Sequence, residues 1–292
     1  MSYKQYKAIF FDWDGTAVES RTAPAGAILP HMKRLLKNGV KLIIVSGTTY
    51  ENILGGMLHE YFTAEELQNL FLGLARGVHN YGFDKNGSPI MLFTPRLDID
   101  QVLKIHRVAF ITHEILLKEY RIESDIVFSR PAYCKLDFMV GNNRGDKLFL
   151  QADEIDKADE FLRKKGICGG VGRLIELANT TGREQDVDIT TTSDMKYLEI
   201  GIATKSNNVD YFVEKVINSN SISLEECCFW GDEFAQLSDG VLGSDAQMIT
   251  ELSEGADFYD VSLSNAPLPE CVKKVGGGIK SFEEFLREQA DY

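Results

Sequence analysis

Hydrophobic positions fall into two kinds of pattern along the chain. Ala8-Ile9-Phe10-Phe11, the VKLIIVSG stretch at 40–47 and the ECCFWGDE stretch at 226–233 carry short uninterrupted apolar runs, which predict buried strands. Segments with helical periodicity predict helices over 27–36, 98–120, 151–165, 207–217 and 281–289. The first stops near Asn38-Gly39, and Asp98 and Asp100 stand in the first turn of the second, as helix ends favour. FDKNGSP at 83–89 reads as a hairpin. Further strands are predicted at 125–129, 135–141, 173–179 and 186–192, with one ending near 202 and a last one in YDVS at 259–262.

The order of these elements predicts an α/β fold with a second unit set into it. The interval from Asp12 to Ser46 fits one strand–helix–strand unit, whose right-handed crossover makes the two strands parallel. From 83 to 192 the order becomes helix–strand–strand, repeated twice, which does not continue a parallel sheet. Residues 1–82 and 193–292 are therefore expected to form a Rossmann-like parallel-sheet core, with residues 83–192 inserted as an α+β domain. The closing strand and helix carry no motif and are expected to be structural.

Composition narrows the class. At 292 residues, 44% apolar and 26% charged, the chain reads as an ordinary globular protein of about two domains. No apolar run approaches the roughly 20 residues that cross a bilayer. MSYKQYK at the N-terminus lacks the apolar core of a signal peptide, so a cytoplasmic location without a membrane partner is expected. A net charge of −13 repels polyanions and argues against non-specific nucleic-acid binding. The five cysteines include no C-x-x-C pair, which predicts reduced thiols rather than disulfides or a zinc site. Cys227 and Cys228, adjacent on one strand, are expected to fill the core on opposite sides of the sheet.

Candidate chemistry begins where the first strand ends. Asp12 and Asp14 lie two residues apart, so both side chains are expected to lean the same way, toward the carboxyl edge where α/β sheets bind ligands. Two carboxylates that close repel unless a proton or cation neutralises them, and a hard ion such as Mg²⁺ prefers oxygen ligands. Gly15 lets the backbone turn sharply and approach a ligand.

FDWDGT, residues 11–16, resembles the first motif of the haloacid dehalogenase superfamily of phosphohydrolases and phosphomutases. The resemblance implies that Asp12 is the nucleophile and Asp14 the general acid/base. Ser46, with Gly47, matches the second motif, whose hydroxyl binds the substrate phosphate; Thr48 and Thr49 stand where many relatives carry an arginine. Lys205 resembles the lysine of the third motif, which neutralises the nucleophile and holds the phosphate. Gly231-Asp232 resembles the fourth, whose acid binds Mg²⁺ together with Asp12 and the Asp14 carbonyl. Asp245 is the favoured candidate for a further acid, with Glu233 and Asp239 as alternatives. Asn80-Tyr81-Gly82 resembles the lead into the cap of the sugar-phosphatase branch, and residues 83–192 resemble the large cap of its sugar-phosphate phosphatases and phosphomannomutases.

What the resemblance implies is a Mg²⁺-dependent phosphatase that hydrolyses a small phosphorylated metabolite, a sugar phosphate, through an aspartyl-phosphate. It would act as a monomer or small homo-oligomer. Two other readings stay open. Arg130 and Arg144 are candidate cap cations for the second phosphate that a phosphomutase must bind. A non-catalytic phosphosugar sensor on the same fold is the other, since fold does not fix function.

Overall fold

The uninterrupted apolar runs become neighbouring strands. The computed structural model describes residues 3–20, 23–130, 132–142 and 154–292. Its strands are β1 (Ala8–Phe11), β2 (Lys41–Val45), β3 (Leu70–Leu74), β4 (His79–Phe83), β5 (Pro89–Phe93), β6 (Asp125–Val127), β7 (Tyr133–Asp137), β8 (Thr190–Ser193), β9 (Tyr197–Gly201), β10 (Cys227–Gly231), β11 (Gln236–Ser238), β12 (Val241–Leu242), β13 (Asp257–Asp260) and β14 (Val272–Lys274). Its helices are α1 (Leu29–Lys37), α2 (Ala64–Leu67), α3 (Ile99–Tyr120), α4 (Glu154–Lys164), α5 (Gly170–Glu184), α6 (Lys205–Phe212) and α7 (Ile279–Asp291).

An eight-stranded sheet runs in the order β14-β13-β10-β1-β2-β3-β4-β5. The six strands from β14 to β3 are parallel; β4 pairs antiparallel with β3, and β5 antiparallel with β4. The central strands are buried on both faces, which explains their unbroken apolar text. Ile9 and Phe11 pack with Met32 of α1 and Phe282 and Phe285 of α7, while Ala8 and Phe10 pack with Val209 and Phe212 of α6. Cys228 lies in the first of these layers and Cys227 in the second, on opposite faces as expected, and all five cysteines are free thiols. The core is thus an α/β Rossmann-like sheet. No helix among the described residues is long and apolar enough to cross a membrane.

A second, four-stranded antiparallel sheet has the order β6-β7-β9-β8. Cys134, Leu136, Leu198 and Ile200 on one face pack with Ile105, Val108 and Leu174 of α3 and α5. The alternating positions Tyr133, Lys135 and Glu199 point the other way, into a cavity above the first sheet.

Four expectations are corrected here. Residues 173–179 form part of α5 rather than a strand. Its buried positions Val171, Leu174, Ala178 and Thr181 are three and four apart, a helical spacing that the local text RLIELAN conceals. The strand ending near 202, expected to return the chain to the core, is β9 and pairs with β7 and β8 in the second sheet. YLEIG alternates apolar and polar residues, as a strand with one polar face does, whereas the core strands do not. The hairpin at 83–89, expected to open the insertion, instead joins β4 to β5 at the edge of the first sheet. YDVS is also followed by a further core strand, β14, whose three residues carry too short a pattern to read. Residues 151–153 and Arg144 lie outside the described residues.

Candidate active site

Asp12 follows β1 directly, and its amide donates to the Trp230 carbonyl of β10 at 2.9 Å, so two adjacent strands fix its backbone. Opposite it, the Thr204 side chain caps the start of α6, which brings Lys205, the first helical residue, into the site. The Lys205 ammonium donates to Asp12 Oδ1 at 2.7 Å and to Asp245 Oδ1 at 2.6 Å. All three residues are buried. Asp245 Oδ2 in turn accepts the backbone amides of Asp232 and Glu233, at 2.9 and 2.8 Å. One carboxylate thus holds both the lysine and the turn after β10. Asp232 accepts a hydrogen bond from Thr16 Oγ1 at 3.2 Å.

Two glycines make this approach possible. Gly15 has φ +89°, and a Cβ there would collide with the Asp232 carboxylate. A Cβ on Gly231 would collide with that of Asp245.

The sequence candidates separate clearly. Asp12, Asp14, Ser46, Gly47, Lys205 and Glu233 line one cavity. Asp232 and Asp245 lie beside Asp12, the three offering carboxylate oxygens within 4.8 Å of one another. Asp239 is elsewhere, on the turn between β11 and β12 near Gly172 of α5. Arg130 lines the same cavity as Asp12.

Thr48, Arg76, Lys135 and Glu199 are among the cavity residues that were given no role from the sequence. Thr48 is buried, and its Oγ1 has no hydrogen-bond partner among the described residues. Arg76 reaches from the β3–β4 turn into the second sheet, donating to the Thr190 carbonyl at 3.0 Å and to Thr192 Oγ1 at 2.8 Å. It also pairs with Glu199 at 3.2 Å, and Lys135 meets the same carboxylate at 2.8 Å. For Lys135 and Glu199 the available signal was alternation, which puts both on the polar face of their strands.

Charge is unevenly distributed over this pocket. Burial raises the Asp12 carboxyl above its ordinary value; Lys205 pulls it down, and Asp245 and Asp14 add to the rise. Burial, Glu233, Asp245 and Asp12 together push Asp232 well above the usual carboxylate range. Glu233 rises to about 6, through burial and then Asp245 and Asp194. Burial alone would lower the Lys205 ammonium, but Asp12 and Asp245 overcome it and hold it above the usual lysine range. At Glu199 burial acts upward, and Lys135 and Arg76 overcome it to hold the carboxyl at about 2. The inner site is therefore short of positive charge, with one lysine among Asp12, Asp232 and Asp245. An oxygen-only, electron-rich donor set of this kind fits a hard divalent cation.

No family profile matches the sequence, and no curated protein matches it. Solved structures do. Plasmodium falciparum IMP-nucleotidase superposes with a TM-score of 0.58 at 11% identity, over 98% of this chain and 62% of that one. The present chain thus spans less than two thirds of the nucleotidase. A haloacid dehalogenase-like hydrolase from Bacteroides thetaiotaomicron superposes with a TM-score of 0.55 at 16% identity, over 97% of this chain and 99% of that one. At these identities the likeness concerns the fold, and the parallel strand order with Asp12 at the end of β1 agrees with it: this chain has the haloacid dehalogenase-like hydrolase fold.

Proposed function

We propose that the chain is a Mg²⁺-dependent phosphatase that hydrolyses a small phosphorylated metabolite, a sugar phosphate, through an aspartyl-phosphate on Asp12. The observation that carries this reading is the lysine bridge. Lys205 holds Asp12 and Asp245 at the carboxyl edge of a parallel sheet, where an anionic substrate needs positive charge and a fixed nucleophile. The names of the two similar structures, a nucleotidase and a hydrolase, support the same reaction class.

In this reading Asp12 attacks phosphorus and the ester oxygen departs, protonated by Asp14. Asp14 then takes a proton from the water that hydrolyses the aspartyl-phosphate and restores Asp12. Ser46 and the Gly47 backbone hold phosphoryl oxygens with Lys205. When bound, Mg²⁺ offsets repulsion between carboxylate and phosphate, and Asp12, Asp232 and the Asp14 carbonyl would hold it. The inserted unit, expected at 83–192 and carried by its strand pairing to 201, acts as the cap. Its Tyr133, Lys135, Thr192 and Glu199 form the far wall of the cavity, where a leaving group would sit. The fixed Glu199 carboxylate accepts from hydroxyls and Lys135 donates to them, which suits a polyhydroxyl leaving group. The cavity volume of about 90 Å³ favours a small one. A cytoplasmic setting without nucleic-acid partners accords with the charge of −13.

Arg130 favours a second reading. Its place in the same cavity as Asp12 offers a cation to a second phosphate, as a phosphomutase requires.

The test is a screen of phosphorylated metabolites for phosphate release with Mg²⁺, and with a chelator. Turnover is expected to need the metal and to vanish in Asp12→Asn, which keeps the shape and loses the nucleophile. Substantial turnover by folded Asp12→Asn would sink the covalent mechanism. Isomerisation of a hexose monophosphate on adding a hexose bisphosphate, without phosphate release, would favour the mutase.

A further inference from the structure

α3 buries Ile105, Val108, Ala109, Thr112 and Leu116 against its own chain. Its other side presents Ile99 (77% exposed), Leu103, Phe110 (51% exposed) and Leu117 to solvent. At 3.6 residues per turn these four side chains fall within about 40° of one another around the axis, in a stripe about 27 Å long. Phe128, exposed and in ring contact with His106 at 4.9 Å, continues the stripe toward the edge strand β6. A row of exposed apolar side chains aligned on one side of a helix offers an interaction surface.

A charged row beside the stripe says what covers it. Asp100, Arg107 and Glu114 follow at seven-residue spacing with alternating sign, and Arg121, just past the helix end with φ 53°, continues the alternation. Reversing the helix about Phe110 lays Leu103 on the partner's Leu117 and Phe110 on the partner's Phe110. The same operation sets Asp100 against the partner's Arg121 and Arg107 against the partner's Glu114. One two-fold axis thus pairs Leu103, Phe110 and Leu117 with one another and sets the opposite charges within one residue's rise of the same level. Asp100, Arg107 and Arg121 make no ion pair among the described residues, and Glu114 meets only the exposed Lys118 one turn along, at 2.8 Å. A membrane surface would call for a basic row, and this one is balanced.

We infer that the outer face of α3 docks a second copy of this chain, antiparallel about a two-fold axis at Phe110. Self-complementarity of one patch is what an isologous dimer requires. The second sheet separates α3 from the cavity that Lys135 and Glu199 line, so docking there leaves the candidate site open.

The experiment is sedimentation equilibrium of the full chain across the micromolar range. A mass of twice 32.7 kDa is expected. Phe110→Asp is expected to sediment as the 32.7 kDa monomer with an unchanged circular dichroism spectrum. Arg107→Glu, which creates two like-charged pairs by symmetry, is expected to weaken association about tenfold. Adding Glu114→Arg restores the opposite pairing and should recover the dimer. A monomeric wild type, a folded Phe110→Asp that stays dimeric, or a charge-swapped double variant no tighter than Arg107→Glu would each overturn the inference.

Discussion

At Lys205 a single ammonium faces two buried carboxylates, 2.7 Å from Asp12 and 2.6 Å from Asp245. Taking these charges out of water is costly, so their mutual contacts hold the inner site together without making it a large net source of stability. Removing the cation alone is a different matter, because it strands both acids. Lys205→Met is therefore expected to destabilise the fold by about 3–5 kcal/mol near neutral pH, read by urea denaturation. The loss should shrink as pH falls, since Asp12, whose carboxyl burial already raises, then takes up a proton and needs no partner. A loss below about 1 kcal/mol at neutral pH, the worth of an exposed pair, would show that the carboxylates are not jointly charged in the native protein.

Among the connecting elements, the turn between β3 and β4 joins the first sheet to the cavity's far wall. Ala75, Arg76 and Gly77 follow one another with φ of 53°, 57° and 94°, a left-handed run that two of them adopt only under strain. The bonds from Arg76 to Thr190, Thr192 and Glu199 offset that strain and fix the second sheet above Asp12. Gly77 lies against the backbone of Thr204, the residue that caps α6 just before Lys205, and a Cβ there would collide with the Thr204 carbonyl. Gly39 offers a matched control, with φ +84° and open space around its missing side chain. Thermal unfolding should show Gly77→Ala losing about 3 kcal/mol or more, and Gly39→Ala only about 1 kcal/mol from its backbone conformation. Equal losses at the two sites would mean that the Thr204 contact yields easily.

For the whole molecule, the division of labour between the two sheets can be tested by excision. Asp12, Asp14, Ser46, Lys205 and Asp232 lie outside residues 95–201, while Lys135, Thr192 and Glu199 lie within them. Replacing 95–201 with a short Gly/Ser linker should leave slow cleavage of a small activated phosphate ester and abolish most discrimination among sugar phosphates. Circular dichroism must first show a folded core, because excision uncovers apolar surface. A folded core that discriminates as the full chain does would assign selection to the core loops instead.

The sequence by itself determined the parts whose signal is local. A strand buried on both faces must be apolar throughout, so β1, β2 and β10 announce themselves, and Asp12, Asp14, Ser46 and Asp232 are legible because each closes such a run. Lys205 was legible through its place at a helix start after a strand. Tertiary structure alone decided which sheet a strand joins and which acid completes the cluster. β9 has the length of a core strand, and its pairing with β7 and β8 shows where it belongs. Asp245 was favoured in text with Glu233 and Asp239 as alternatives, and the fold separates the three. Asp245 reaches Lys205, Glu233 lines the cavity and Asp239 faces away. Arg76, Thr48 and Glu199 stayed hidden for the same physical reason. Their partners lie far along the chain or, for Thr48 Oγ1, are not found among the described residues, and a side chain's electrostatic surroundings exist only once distant segments have been packed together.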